Sequence, residues 1–229
     1  MSKSNLNVVM GAMTFGKPGT EGARVQDIES VGKILDTFKS FGHREIDTAR
    51  VYTKGTSEEL LGEVEWQKRG LIVETKLYPA GQIKHTLEGI REQLNKSLAA
   101  LKADKIELFY LHAPDRSTPF EITFKAVNDL HKEGKFDKLG ISNYMAWEVA
   151  EVVGLCRTNG WIQPTVYQGI YNAVHRAVEP ELLPCLRKFD IAFYLNLVDL
   201  EKGPLPAPVI EALDQAWEVV APSVRKYWH

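Results

Sequence analysis

Apolar residues along the chain follow two alternating patterns. Short runs of aliphatic and β-branched residues have the length of strands, and the longer segments between them repeat apolar residues at helical spacing. The pattern predicts strands at residues 6–10, 45–47, 71–76, 106–112, 139–142 and 164–168, and the start of a seventh at 191–195. It predicts helices at residues 25–41, 57–65, 83–101, 119–133, 147–158, 180–189 and 207–220.

Several of these helices carry signals at their ends. Ser57 is predicted to cap the second helix through its hydroxyl. Thr118 and Glu121 have the spacing of a capping box, with Pro119 at the first helical position. Gly134 is predicted to end that fourth helix.

Strands that alternate with helices predict a parallel α/β sheet, closed either as a doubly wound sheet or as a (β/α)8 barrel. Gly11 and Gly16 follow the first strand without the Gly-x-Gly-x-x-Gly spacing of a dinucleotide-binding turn. Polar residues end several successive strands instead, as they do at the carboxyl-terminal mouth of a barrel. The barrel is therefore favoured.

The chain is too short after residue 195 to complete that barrel. A Gly-Pro-Leu-Pro break at 203–206 and a helix at 207–220 follow, without a predicted eighth strand. We expect a single domain, residues 1–229, with an α/β fold of the incomplete (β/α)8 TIM-type barrel, about six to seven strands and a C-terminal helix. Three fates are open to the unpaired strand edges: pairing with another copy in a homo-oligomer, covering by the C-terminal helix, or poor folding. We expect partial covering by the helix.

Composition narrows the class of protein. The 28 basic and 30 acidic residues give a net charge of −2, which argues against nucleic acid or an anionic membrane as a partner. Cys156 and Cys185 have no partner motif, which is typical of a reduced intracellular protein. The polar N-terminus and the absence of a long apolar run predict a soluble, cytoplasmic protein without a signal peptide.

Four side chains at the ends of strands two, three and four suggest carbonyl chemistry. Tyr52 can deliver a proton to a carbonyl oxygen if a nearby cation stabilises its phenolate, because tyrosine in water ionises only near pH ~10. Lys76 supplies that cation, and Asp47 holds Lys76 in place and charged. His112, when neutral, donates a hydrogen bond to a small-molecule carbonyl substrate and orients it. Such a reduction also needs a hydride donor, which implies a nicotinamide cofactor.

Each of these residues also has an ordinary structural interpretation. A lone strand-end Asp or Lys is most often a solvated charge, Tyr52 suits the edge of a core, and His112 suits a plain hydrogen-bonding role. The other five histidines are interpreted as structural, and no metal site is predicted. Four suitable residue types at the ends of three neighbouring strands favour the catalytic interpretation.

The motifs around these residues resemble the aldo-keto reductase family, and most closely its aflatoxin-aldehyde-reductase subgroup. The resemblance rests on Asp47-x4-Tyr52, Thr75-Lys76, Tyr110-Leu111-His112, Gly140-Ile141-Ser142-Asn143 and Tyr167-Gln168, with subgroup-like phrases at 10–13 and 111–115. It covers residues 6–195 and resumes over 196–229, at 196–197, 201–205, 215–217 and 227–228.

The resemblance implies roles for individual residues. It implies Tyr52 as general acid, Lys76 and Asp47 as its tuning pair, and His112 as the substrate-binding group; Asp47 also lies near the cofactor. It implies NADPH (NADP) as cofactor. Its nicotinamide carboxamide would be hydrogen-bonded by Ser142, Asn143 and Gln168, and its ribose would lie near Met13.

The chain departs from the family between its seventh strand and its C-terminal segment, at about 195/196. The aromatic that stacks on the nicotinamide, the pyrophosphate loop and the 2′-phosphate clamp have no counterpart, so a preference for NADP over NAD is implied by the family alone. Two alternatives stay open: a catalytically silent, truncated relative or isoform acting through association with another protein, and a gene model that lacks an exon. The sequence does not identify the substrate.

Overall fold

A computed structural model describes residues 7–195 and 206–228, and strands and helices alternate along them. The strands are β1 Val9–Gly11, β2 Glu45–Asp47, β3 Ile72–Leu77, β4 Ile106–Leu111, β5 Phe136–Ser142, β6 Pro164–Gln168 and β7 Ala192–Tyr194. The helices are α1 Ile28–Ser40, α2 Thr56–Glu63, α3 Leu87–Ala100, α4 Phe120–Lys132, α5 Ala146–Asn159, α6 Leu182–Phe189 and α7 Ala207–Val220. The predicted α/β class is confirmed.

The chain divides into two compact units, Met1–Leu139 and Gly140–His229. Strands β1 to β4 belong to the first unit, β6 and β7 belong to the second, and β5 runs across the boundary. The assignment of residues 1–229 to a single domain stays a prediction.

In the first unit, β1 to β4 pair in chain order and all run parallel. The register places Gly11 opposite Asp47, Asp47 opposite Glu74, and Lys76 opposite Tyr110. Because parallel strands end at the same edge of a sheet, the residues that follow β1 to β4 meet at one edge.

Capped amphipathic helices cover this sheet. The Asp27 carboxylate accepts from the Ser30 backbone N–H at the start of α1 (2.7 Å), and the Thr86 hydroxyl accepts from the Gly89 N–H at the start of α3 (3.2 Å). Both helices bury aliphatic residues at helical spacing, namely Val31 and Leu35 in α1 and Ile90, Leu94 and Leu98 in α3. Each such side chain contributes about 1.5–3 kcal/mol on burial.

The second unit has a parallel β6–β7 pair and the helices α5, α6 and α7. Gly160, at φ 65°, ends α5 in the left-handed conformation that favours glycine. The Tyr227 hydroxyl joins the C-terminal segment to two helix starts, because it accepts from the Ala146 N–H (3.2 Å) and donates to the Glu181 carboxylate (3.1 Å).

Two predicted caps are wrong. Ser57 lies inside α2, whose N-cap is Gly55, and its hydroxyl donates instead to the Ala12 carbonyl (2.8 Å). Thr118 makes no capping box, because α4 starts after Pro119 and the Thr118 hydroxyl donates to Asp115 Oδ2 (2.7 Å). The Ser57 hydroxyl is bound by a residue remote in sequence and the Thr118 hydroxyl by a carboxylate three residues earlier, and each contact replaces the predicted cap.

Helix α7 has the predicted bounds, and its apolar face is only partly buried, with Leu213, Trp217 and Val220 half-buried. No residue of α7 is buried, and Val209 and Ile210 remain 42% and 45% exposed. Whether α7 covers a strand edge, as expected from the sequence, stays a prediction. The predicted break at 203–206 and the family-like residues at 196–197 and 201–205 lie mostly or wholly outside the described residues.

No helix within residues 7–195 and 206–228 is long and apolar enough to cross a membrane. The soluble, cytoplasmic character stays a prediction from the sequence.

Candidate active site

Asp47 ends β2 and begins the segment that carries the site. Its backbone carbonyl accepts from the Ala12 N–H (2.8 Å), and its side chain is largely buried, with the residue 8% exposed. Parallel pairing continues past the strand, because the Thr48 N–H donates to the Glu74 carbonyl (3.0 Å) and the Arg50 N–H donates to the Lys76 carbonyl (3.2 Å). The backbone on both sides of Asp47 is therefore held against its two neighbouring strands.

Tyr52 opens a 3₁₀ turn, Tyr52–Gly55, that has unusual backbone angles. Thr53, Lys54 and Gly55 follow one another with φ of 45°, 54° and 92°, all in the left-handed region. Non-glycine residues reach this region only at a cost, which the surrounding contacts must offset. One such contact is the Thr53 hydroxyl, which donates to the Phe15 carbonyl (2.7 Å).

An ion pair with a buried carboxylate stabilises the same turn. Arg50 Nη1 lies 2.6 Å from Glu58 Oε2, and the Glu58 side chain is fully buried. The Thr75 hydroxyl donates to the other Glu58 oxygen (2.6 Å). Gly55 leaves room for the guanidinium, since a Cβ there would lie 1.5 Å from Arg50 Nη2.

Lys76 lies on β3 with 0% exposure, and three acceptors surround its ammonium nitrogen. Nζ is 2.5 Å from Asp47 Oδ1, 2.8 Å from the Thr48 carbonyl oxygen and 3.2 Å from the Tyr52 hydroxyl oxygen. Burial by itself lowers the pKa of Lys76, but the Asp47 carboxylate and the Tyr52 phenol outweigh it, so the pKa is raised. Lys76 is therefore charged at neutral pH.

His112 directly follows β4, and its backbone N–H donates to the Leu77 carbonyl (2.8 Å). Its ring stands edge-on to two phenols. The ring centroids are 5.9 Å apart for Tyr52 and 5.4 Å apart for Tyr78, with interplanar angles of 85° and 89°. The structure thus brings the four predicted catalytic side chains, Asp47, Tyr52, Lys76 and His112, into one cluster of the first unit.

The predicted cofactor-binding residues other than Asp47 lie in the second unit, at the carboxyl ends of two strands. Ser142 ends β5 and is 5% exposed, and the Asn143 amide nitrogen donates to its hydroxyl (3.1 Å). Asn143 itself adopts φ 64°. Gln168 ends β6 and is half-buried. Their hydroxyl and amide groups offer the donors and acceptors that a carboxamide needs. Met13, in the first unit, follows β1 and is 59% exposed.

Sequence reasoning missed two parts of the cluster. The Thr48 carbonyl that binds Lys76 is a backbone group, which no residue type could reveal. Glu74, 1% exposed, could have been found, because it precedes Lys76 by two positions on the same strand and therefore shares its face.

Within the described part of the chain, no group of three or more His, Cys, Asp or Glu side chains is arranged to hold a metal ion. The arrangement present suits proton transfer. A buried cation and a carboxylate flank a phenol, and a histidine stands beside it, so that negative charge developing on the phenol oxygen is stabilised.

A parallel α/β fold with a Tyr–Lys–Asp–His cluster after its strands defines the class of protein, and comparisons give the family. The aldo/keto reductase family model matches residues 7–210. The chain is 45% identical over 204 residues to the aldo-keto reductase pigE of Monascus ruber, an alignment that covers 85% of this chain and 60% of that protein. It is 46% identical over 198 residues to human aldo-keto reductase family 7 member A3, covering 85% and 58%. The chain belongs to the aldo/keto reductase family.

A solved structure supports the fold. A thermostable aldo-keto reductase in complex with the inhibitor epalrestat superposes with a TM-score of 0.72 at 22% identity, over 93% of this chain and 75% of that one. This confirms the predicted incomplete (β/α)8 fold class. The chain spans about three fifths of the length of the relatives it matches (60% and 58%).

Proposed function

We propose that the chain reduces an aldehyde or ketone to an alcohol by hydride transfer, with Tyr52 as proton donor and NADPH as cofactor. The observation that carries the proposal is the position of Lys76 Nζ, 2.5 Å from Asp47 Oδ1 and 3.2 Å from the Tyr52 hydroxyl. A phenol beside a charged, buried ammonium is an effective acid, because its conjugate base forms next to a cation.

Each residue of the cluster has a separate task. Tyr52 donates its hydroxyl proton to the carbonyl oxygen as that oxygen gains negative charge. Lys76 stabilises the resulting phenolate, while Asp47 and the Thr48 carbonyl hold the ammonium in place. His112, neutral, donates a hydrogen bond that orients the carbonyl.

Polar residues of the second unit offer hydrogen-bonding groups for the nicotinamide end of the cofactor. Ser142, Asn143 and Gln168 would hold its carboxamide, and bound NADPH supplies the hydride. Membership in a family that generally uses NAD(P)H supports this choice of cofactor, and the preference for NADPH over NADH rests on the family alone. Similarity to proteins named aflatoxin B1 aldehyde reductase supports aldehydes as the substrate class.

Two measurements test the proposal. Titration with NADPH should change its fluorescence or raise the chain's thermal stability, and the loaded protein should oxidise NADPH when an aldehyde is added. Tyr52→Phe should lower turnover by at least about 10³-fold and leave NADPH affinity nearly unchanged, because it removes only the transferable proton. Tyr171→Phe is the matched control, since it removes a phenol that bonds Glu179 instead. Turnover that persists in Tyr52→Phe would refute the assigned acid.

A second candidate is a catalytically silent relative that associates with another protein. The exposed apolar residues Val209, Ile210 and Val219 of α7 favour this alternative. It predicts no response to NADPH up to millimolar concentrations. Such a result would end the enzymatic proposal for this chain.

A further inference from the structure

Glu74 is a buried carboxyl group next to the cluster, and the mechanism above does not use it. It lies on β3 opposite Asp47 in the β2–β3 register, and it shares a strand face with Lys76. The residue is 1% exposed. A carboxyl group kept out of water at this position must be neutral or balanced by charge.

Its direct partner is a phenol on the next strand. The Tyr110 hydroxyl donates to Glu74 Oε2 (3.2 Å), and Lys76 Nζ lies 5.7 Å from the centroid of the Tyr110 ring. Tyr110 therefore contacts Glu74 at its hydroxyl and faces the Lys76 ammonium with its ring. Three acceptors other than Glu74 already surround that ammonium, so Glu74 acts on it only through space.

The charged and titratable groups around Glu74 come from three strands: Asp47 and Glu45 on β2, Lys76 on β3, and Tyr110 on β4. Burial, followed by the negative charges of Asp47 and Glu45, raises the pKa of Glu74 to about 8. The Lys76 ammonium and the Tyr110 hydroxyl oppose this rise and only reduce it. Glu74 is thus protonated at neutral pH.

The protonation state of Glu74 changes the charge balance of the cluster. With Glu74 neutral, Asp47 and Lys76 balance each other, and a phenolate at Tyr52 adds one negative charge to the Asp47–Lys76–Tyr52 group. With Glu74 ionised, the phenolate becomes the third negative charge around a single ammonium. Because like charges repel, an ionised Glu74 disfavours the phenolate form of Tyr52.

We propose that Glu74 is a positioning residue for the proton donor: neutral, it leaves the Lys76 ammonium free to stabilise the Tyr52 phenolate, and ionised, it holds the proton on Tyr52. Its catalytic meaning rests on the proposed function, but its effect on the acidity of Tyr52 does not. Glu74 widens the alkaline range over which the phenol remains a proton donor.

The test is an ultraviolet titration of the Tyr52 phenol, obtained as the difference between each protein and its Tyr52→Phe counterpart. Glu74→Gln fixes the neutral form at every pH, so the Tyr52 absorbance step should move to lower pH by about one unit. If the chain reduces carbonyls, the alkaline limb of its kcat profile should move in the same direction by a similar amount, with KM little changed.

Two further variants make the result decisive. Glu107→Gln removes a carboxylate that pairs with Lys138 elsewhere, and it should leave the Tyr52 step where it is. Tyr110→Phe removes the hydroxyl that bonds Glu74, so Glu74 should stay neutral to higher pH and the step should again move down. Tyr110→Phe also decides the question if Glu74→Gln does not fold.

The outcomes separate the two claims. A shifted Tyr52 step in a chain that reduces no carbonyl supports the role of Glu74 and ends the proposed function. If the Tyr52 absorbance step does not move in Glu74→Gln, the proposed role of Glu74 is wrong, whether or not the chain is active. If Glu74→Gln does not fold, an unmoved step in Tyr110→Phe leads to the same conclusion.

Discussion

Two fully buried ionisable side chains in the first unit, Lys76 and His85, differ in whether their polar atoms have hydrogen-bond partners. Lys76 is fully buried and has three acceptors for its charge. His85 is also fully buried, but neither of its ring nitrogens has a hydrogen-bond partner among the described residues. Its backbone N–H, in contrast, donates a hydrogen bond to Asp115 Oδ2 (2.9 Å). Burial lowers the pKa of His85 to about 4, and the charge of Asp115 only partly opposes this.

This buried histidine should make stability depend on pH. Its folded pKa lies below its ordinary value of about 6.5, so the unfolded chain binds more protons between pH ~6.5 and ~4, and the free energy of unfolding falls as pH falls through that window. His85→Leu should remove about 2–3 kcal/mol of this fall. Urea unfolding from pH 4 to 8 measures it. Above pH 7 the variant and the parent should show parallel pH dependence, and parallel slopes below pH 6 would contradict the expected burial of a neutral ring.

Residue types at strand ends were enough to predict the cluster, because chemistry of this kind needs specific side chains after successive parallel strands. Strand alternation could place Glu74 on the face of Lys76, but it could not show why Glu74 matters. Its importance comes from Asp47 and Tyr110, which are remote in sequence and become neighbours only through strand register. The hydrogen bond of the Tyr110 hydroxyl to Glu74 could likewise not be predicted from the sequence of β4.

The element that positions Tyr52 is a turn held by packing rather than by residue preference. Thr53 and Lys54 adopt left-handed angles that neither residue type favours. The Arg50–Glu58 ion pair and the absence of a side chain at Gly55 secure the turn. The position of the proposed acid therefore depends on residues outside the catalytic cluster.

Gly55→Ala should destabilise the protein and displace Tyr52. Alanine at residue 55 would have to adopt φ 92°, and its methyl group would lie 1.5 Å from Arg50 Nη2, so the guanidinium must shift from its position beside Glu58. Removing one partner of a buried pair costs about 3–5 kcal/mol, and a shift that weakens the Arg50–Glu58 pair should cost part of that. Gly19→Ala is the matched control, because Gly19 has φ 79° with nothing within 4 Å of its Cβ position. Gly19→Ala should lower the free energy of unfolding only by the cost of a left-handed backbone conformation at alanine, about 1–2 kcal/mol. Equal losses in denaturant unfolding would show that the ion pair does not brace the turn.

Element types were predictable throughout, and bounds were predictable only where local signals agreed with tertiary contacts. Strands β2 and β6 and helix α7 have the predicted bounds, whereas α3 begins at Leu87 rather than at residue 83. Thr86, which caps α3, is an ordinary capping residue that directly precedes the first residue of the apolar stripe, Leu87, so the sequence did contain the true start. Pattern reasoning finds the core face more reliably than the cap.

At the scale of the whole molecule, burial is distributed unevenly among the helices. In the second unit, α5 and α7 both contain 14 residues, yet α5 buries Val149, Val152, Val153 and Cys156 while α7 buries none. The contacts of α7 include an ion pair between Asp214 and Arg176 (2.7 Å), in which Asp214 is half exposed. Exposed pairs of this kind contribute at most about 1 kcal/mol.

Hydrogen exchange should therefore distinguish the two helices. Opening α7 exposes little apolar surface that was buried, whereas opening α5 exposes four buried side chains worth several kcal/mol together. Amide protection in α7 should be at least about 100-fold lower than in α5, as measured by mass spectrometry on peptides from each helix. The equal lengths of the helices make α5 the internal control. Equal protection at low protein concentration would mean that α7 is covered within a single chain, and protection that rises with concentration would mean that a second copy covers its apolar face.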